Sequence, residues 1–418
     1  MLGCYNLVFT RIKEQNPQLW KLGCACHMAH TCAQDAAKTL SVSAENIIIA
    51  IFYYFDKSCK RKEELKQFQE FCNVESRKIL KHVSTRWLSL GKTFDRLLQQ
   101  WPALKSYFSS KSQKEERVRM LKKSLSSPQC HLYCSFLQSV IPIFDKFNLL
   151  MQAEVPMVHA IHPAILNLAR GLLGRFLKPV IVREARDILS VQYENPQNQK
   201  GDQDLYIGFY TKQYICSEEM QDNTECDWYL SQFYKDVHNF YSKAVSSVYE
   251  KLPALDETLK LLTIIDYKNR DTHTFDDLVS LLEMFPCLKK ELNMVKLEEE
   301  FISYQVLDID ALVEGSKEDG SQVRMDTFWH KTGQIKNSGK NTFVLLPTVM
   351  KQLLVLPHSN TDCERMFSIT RKNRTEARSE LSNAVLKGLL ATKVNMLSDC
   401  SCFEWKPSDS LIKKAKSA

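Results

Sequence analysis

Four groups of residues in this 418-residue chain have the types and spacing to do chemistry. Glu364, in TDCERMFS, offers a carboxylate, but a lone carboxylate binds magnesium poorly. An exposed first-turn glutamate favoured by the helix dipole is the simpler reading. Cys24, Cys26, His27 and His30, in GCACHMAH, are zinc-ligand types, yet structural zinc sites bring two ligand pairs a dozen or more residues apart. No second pair stands at that spacing, so buried thiols are preferred and no metal or cofactor is expected. Arg86 and Trp87, in STRWLSL, offer a guanidinium beside a ring on which a base could stack. Cations gather at Arg371, Lys372, Arg374 and Arg378, and again from Lys111 to Lys123. Both clusters contain glutamates, so a solvated helix face accounts for them as well as a phosphate track does.

The elements that must position these groups read as mostly helical. Residues 1 to 40 suggest a short buried strand followed by an alanine-rich helix. From Ser41 the pattern turns helical, with SAENIIIAIFYYF carrying an N-cap serine before an apolar face. KRKEELKQFQEF alternates charge at i, i+4. Leu90, Phe94, Leu97, Leu98 and Trp101 then recur at helical spacing, with Pro102 as the expected stop. Further helices are expected over HLYCSFLQSVIPIFDKFNLLM, PAILNLARGLLGRFL, SQFYKDVHNFYSKAVSSVYEKL and FDDLVSLLEMFPCL. Residues 193 to 204 read as a surface loop, and the glycine-bearing 313 to 325 as a linker.

Composition narrows the class. With 44% apolar residues, 12 glycines and 13 prolines, the chain can bury a sizeable core, and its net charge of +7 permits nucleic-acid contact without arguing for it. The longest clean apolar run, Ile47 to Phe55, is about half the ~20 residues of a membrane span, so no membrane is expected. No secretory signal opens the sequence, and the 14 cysteines are expected as reduced thiols.

The C-terminal segment is the most informative. Pro357 should end one apolar helix, and Ser359 with Asp362 resembles a capping box opening the next. Met366, Phe367, Ile369 and Thr370 give that helix a packed side. Ser379 or Ser382 should cap a last helix whose Val385, Leu386, Leu389, Leu390 and Val394 form a wide apolar stripe. Such a stripe requires a partner surface.

LPHSNTDCERMFS, TRKNRTEARSEL and LLATKVN together resemble the C-terminal dimerisation region of hAT-superfamily transposases, and YNLVFTRIKEQNP, GCACHMAH and HVSTRWLSL resemble upstream family segments in the same order. The resemblance is to genes domesticated from such elements, the zinc-finger BED and MYM type relatives among them. It implies a mostly α chain with a small α/β part. Residues 1–40 would be a remnant of a truncated RNase H-like core, 41–312 a large helical insertion, 313–325 a linker, 326–400 the dimerisation region and 401–418 a tail.

Family enzymes hold two metal ions with three carboxylates. Glu364 matches the last of these. The other two, aspartates, lie in family members before the segment resembling YNLVFTRIKEQNP, where this chain begins, so catalysis is not expected and Glu364 is vestigial. Trp87 resembles the tryptophan that stacks on a flipped base, with core packing as the preferred alternative. No C-x-x-C paired with H-x(3 to 5)-H is present as a DNA-reading finger. The expectation is a non-enzymatic nuclear protein that forms a homodimer or pairs with a related protein. The competing expectation is DNA binding through Arg86, Trp87, Arg371, Lys372 and Arg374.

Overall fold

The computed structural model describes residues 8–17, 19–81, 88–112, 114–222, 224–290, 292–318, 322–375, 378, 380–395 and 406–416. About 70% of the structure is helix and 2% strand, which bears out the mostly helical class. Two units separate, one running to His358 and a small one from Ser359 onward.

The first half of the large unit contains α1 (Val8–Gln15), α2 (Ala25–Ala37), α3 (Ala44–Phe55), α4 (Cys59–Phe71), α5 (Leu88–Gln99), α6 (Trp101–Ser110), α7 (Glu116–Ser126), α8 (Pro128–Met151) and α9 (Ile161–Phe176). It is completed by α10 (Phe209–Ile215) and the long α11 (Cys226–Lys251). Its centre is set by small side chains. Ala25, Ala29, Cys32, Ala33 and Ala36 are fully buried along one face of α2, and this face lies against α8 and α11. Without large side chains the helix backbones approach closely and gain dispersion contacts. The Cys32 thiol donates to the Ser247 carbonyl at 3.2 Å, and burial pushes its pKa up to about 12, so it is a packing residue and not a nucleophile.

A buried carboxylate joins three elements around that centre. Asp236 on α11 accepts hydrogen bonds from the Tyr133 hydroxyl at 2.6 Å, the Ser41 backbone N–H at 2.8 Å and the Gln232 amide at 2.8 Å. Burial would raise its pKa, but the bonds from Ser41 and Tyr133 outweigh burial and hold it below the ordinary value. Ser41 therefore anchors the segment before α3, while Ser43 occupies the N-cap position without a side-chain cap bond. Beyond it, Tyr54 and Phe55 of α3 meet Tyr107 and Phe108 of α6 with centroids 5.0 to 6.1 Å apart.

The second half of the large unit contains α12 (Phe275–Met284), α13 (Met294–Gln305), α14 (Met325–Thr332) and α15 (Leu345–Leu354). Glu300, buried on α13, accepts the backbone N–H groups of Val344, Leu345 and Leu346 at 3.0, 2.8 and 2.9 Å. Those amides open α15 and have no intrahelical acceptor, so a carboxylate there satisfies them and opposes the helix dipole. Trp329 of α14 is buried against Tyr304, centroids 4.9 Å apart, and donates to the Ile265 carbonyl at 2.9 Å. Lys336–Asn337 pairs with Lys340–Asn341 through Ser338 and Gly339, both at positive φ, in a tight hairpin.

Three expectations change. Val8 and Phe9 lie in α1 and GCACHMAH opens α2, so no strand stands among the described residues of 1–40. The alanine-rich helix forms as expected, while the short apolar run at Val8 and Phe9 continues as a helix with no buried side chain. Pro102 begins α6 and does not simply stop α5, because the first helical turn requires no N–H from it. Segment 313–325 is not a break, since a helix over Asp310–Gly315, a short pairing of Lys317–Glu318 with Gln322–Val323, and the start of α14 occupy it within the large unit. Residues 193–204 form a surface loop as expected, and it is tied down, with Lys178 N–H donating to the Asn198 carbonyl at 2.9 Å and Lys200 N–H to the Phe176 carbonyl at 2.8 Å.

Two measurements test these packing assignments. Glu300→Ala removes the acceptor of three amides and should lower the urea-unfolding free energy by about 3 kcal/mol. Asp145 of α8 is desolvated and faces Asp95 of α5, which together push its pKa up to about 6, with Lys92 opposing. The folded pKa lies above the ordinary 3.8, so this contribution to stability is full below 3.8 and is lost as pH rises through about 6. Asp145→Asn should therefore exceed the wild type in stability at pH 7.5 by ~1 kcal/mol after allowance for solvent screening, with the difference vanishing toward pH 3.5.

Candidate functional site

The small unit contains α16 (Thr361–Asn373) and α17 (Asn383–Asn395), which pack on each other, and a short helix, α18 (Asp409–Lys416), in the segment expected as a tail. Asn360, not Ser359, is the N-cap of α16, and it makes no side-chain cap bond. Ser359 instead donates to the Thr361 hydroxyl at 3.0 Å and accepts the Thr361 N–H at 3.4 Å. The expected capping box does not form there, because the helix begins one residue later than the motif requires. Its geometry occurs instead at Thr274 and Asp277, before α12. Ser382 does accept the Val385 N–H at 3.3 Å, capping α17 as expected.

Among the described residues from Ser359 onward, none is buried. Phe367 is 67% exposed, Val385 50% and Leu389 40%, while Leu386 and Leu390 are half-buried. The side chain of Val394 lies outside the described residues. Each helix is 13 residues long, close to the ~12–15 below which an isolated helix is marginal in water. A hairpin of that length without a core of its own gains stability when its apolar stripe is covered.

The remaining candidates are dispersed. Glu364 is exposed in the first turn of α16, with Asp362 before it. Among the described residues no three His, Cys, Asp or Glu side chains converge as a cation cage. His27 and His30 rings are 6.1 Å apart. His30 is buried and His27 exposed, while the Cys26 thiol approaches the Asn148 carbonyl of α8 at 3.9 Å. Arg371, Lys372 and Arg374 are exposed in and just after the last turn of α16, a place the helix dipole favours for cations. Arg86 and Trp87 lie outside the described residues. No described helix is long and apolar enough to cross a membrane. No family model matches the chain.

Sequence reasoning missed two groups. Glu300 carried no local signal, because its partners lie more than 40 residues away. Tyr206, Phe209 and Tyr210, in LYIGFYTK, are exposed aromatics, and the Arg175 guanidinium lies over the Tyr206 ring at 4.9 Å. Their density in five residues was a readable sign of a surface with a task. Ser382→Ala should remove about 1 kcal/mol from α17, read as roughly five-fold faster amide hydrogen exchange over 383–395 with the large unit unchanged.

Proposed function

We propose that this chain is a non-enzymatic protein derived from a hAT transposase, acting in the nucleus by pairing of its C-terminal hairpin with a second copy or a related chain. The observation that supports this reading is the coreless hairpin with Phe367, Val385 and Leu389 exposed. In that lineage residues 1–40 descend from an RNase H-like core, the helical bundle from the family's insertion, and Glu364 from a metal ligand.

Size-exclusion chromatography with light scattering on the full chain should give a particle of about twice 48.4 kDa. Leu389→Asp combined with Leu390→Asp, or deletion from Ser359 onward, should give a folded monomer. A wild-type monomer at tens of micromolar would refute self-pairing. A second reading, DNA binding, draws on the exposed Arg371, Lys372 and Arg374. A gel shift with a steep salt dependence, weakened by charge reversal at these positions, would support it, because phosphate neutralisation releases counterions.

A further inference from the structure

Along α16 the half-buried side chains of Met366, Ile369, Thr370 and Asn373 recur at helical spacing, as packing on α17 requires. The opposite side of the helix is exposed and carries Asn360, Glu364, Phe367, Ser368, Arg371 and Arg374. Acids, Asp362 and Glu364, stand in the first turn and cations, Arg371 and Lys372, in the last. The helix dipole accounts for that polarity. It does not account for a phenyl ring left in water between the two charges, with Glu364 three residues before Phe367 and Arg371 four residues after it. At a rise of about 1.5 Å per residue, the carboxylate and the guanidinium flank the ring at nearly equal distances along the helix axis.

That spacing is self-complementary. A second α16 laid antiparallel across the first, with a two-fold axis at Phe367, brings Glu364 of each copy opposite Arg371 of the other. The offset of about one residue's rise is within the reach of an arginine side chain. Both rings leave water at the axis, where the small Ser368 lets the helices approach. Arg374, seven residues after the ring, comes opposite Asn360, seven before it, so no like charges meet on this face. Asp362 is already engaged by Arg365 of its own helix at 3.4 Å. A parallel arrangement would instead set Glu364 on Glu364 and Arg371 on Arg371, and would align the two helix dipoles. A surface that pairs with itself about a two-fold axis must carry its own complement, and this one does. A nucleic-acid backbone fits it less well, since Glu364 would stand among phosphates and Phe367 would stay in water.

We propose that the hairpin's partner is a second copy of this chain, with the two α16 helices antiparallel on a two-fold axis at Phe367 and Glu364 of each copy paired with Arg371 of the other. This register rests on the pairing reading above, and the test separates the two. Sedimentation equilibrium of the full chain at low salt compares the wild type with Glu364→Arg and with Arg371→Glu, both at exposed positions, with circular dichroism melts verifying the fold. Each variant alone sets two like-charged pairs across the axis and should self-associate at least ~5-fold more weakly than wild type. An equimolar mixture of the two, labelled with different fluorophores, re-creates both opposite pairs. Energy transfer should then report mixed dimers in preference to either homodimer, with the preference shrinking at about 0.5 M salt. Phe367→Ala should weaken wild-type association by ~10-fold. The register is overturned, with pairing intact, if the wild type dimerises and both charge variants associate as tightly, or if the mixture shows no preference for mixed dimers. It is likewise overturned if Leu389→Asp with Leu390→Asp abolishes a dimer that Phe367→Ala leaves unchanged. A wild type that stays monomeric overturns the register and the pairing reading together.

Discussion

The close approach that Ala25, Ala29, Cys32, Ala33 and Ala36 permit between α2, α8 and α11 is the constraint on which the large unit rests. Any larger side chain along that stripe would force the long helices apart, at a cost of about 1–3 kcal/mol for each overpacked position. Its consequences extend outward through α11. Asp236 on that helix fixes Ser41 and Tyr133, and thereby the entry to α3. Tyr241, one turn further, holds the carbonyl of Tyr206 and so the loop that carries the exposed aromatic rings.

Polar groups inside this fold are used where backbone ends must be closed. Glu300 supplies one carboxylate oxygen to three amides of α15, and Asp236 closes a segment from another element in the same manner. Both residues act over long sequence separations, so they fix tertiary arrangement where a local cap would fix only a helix end. The C-terminal hairpin lacks any equivalent among its described residues. Its contacts are the Ser382 cap, short local bonds and the packing of one helix on the other. An element of that kind depends on whatever covers its apolar stripe, and this contrast in burial is the physical basis for reading the hairpin as a pairing device.

The chain thus presents two surfaces of different chemistry. The hairpin offers branched aliphatics and a phenyl ring, which favour burial against another apolar face. The start of α10 exposes the rings of Phe209 and Tyr210, and the Arg175 guanidinium lies over the ring of Tyr206 just before it.

The sequence by itself determined the helices and much of their burial. The periodic runs over Pro128–Met151, Ile161–Phe176 and Cys226–Lys251 were legible because apolar residues three and four apart can face a core in only one local geometry. The cap of α17 was narrowed to Ser379 or Ser382 for the same local reason, and Ser382 is the one that accepts the Val385 N–H. The start of the chain misled because a run as short as Val8 and Phe9 satisfies strand and helix equally. Pro102, the 313–325 segment and the missing capping box at Ser359 turned on where neighbouring elements begin, which composition does not encode. Tertiary structure alone decided the role of Glu300, the burial of Asp236 and the placement of Arg175 against Tyr206, because each joins residues more than 30 positions apart. Local pattern fixes which face a helix buries; the partner of a buried charge is fixed only when distant segments fold together.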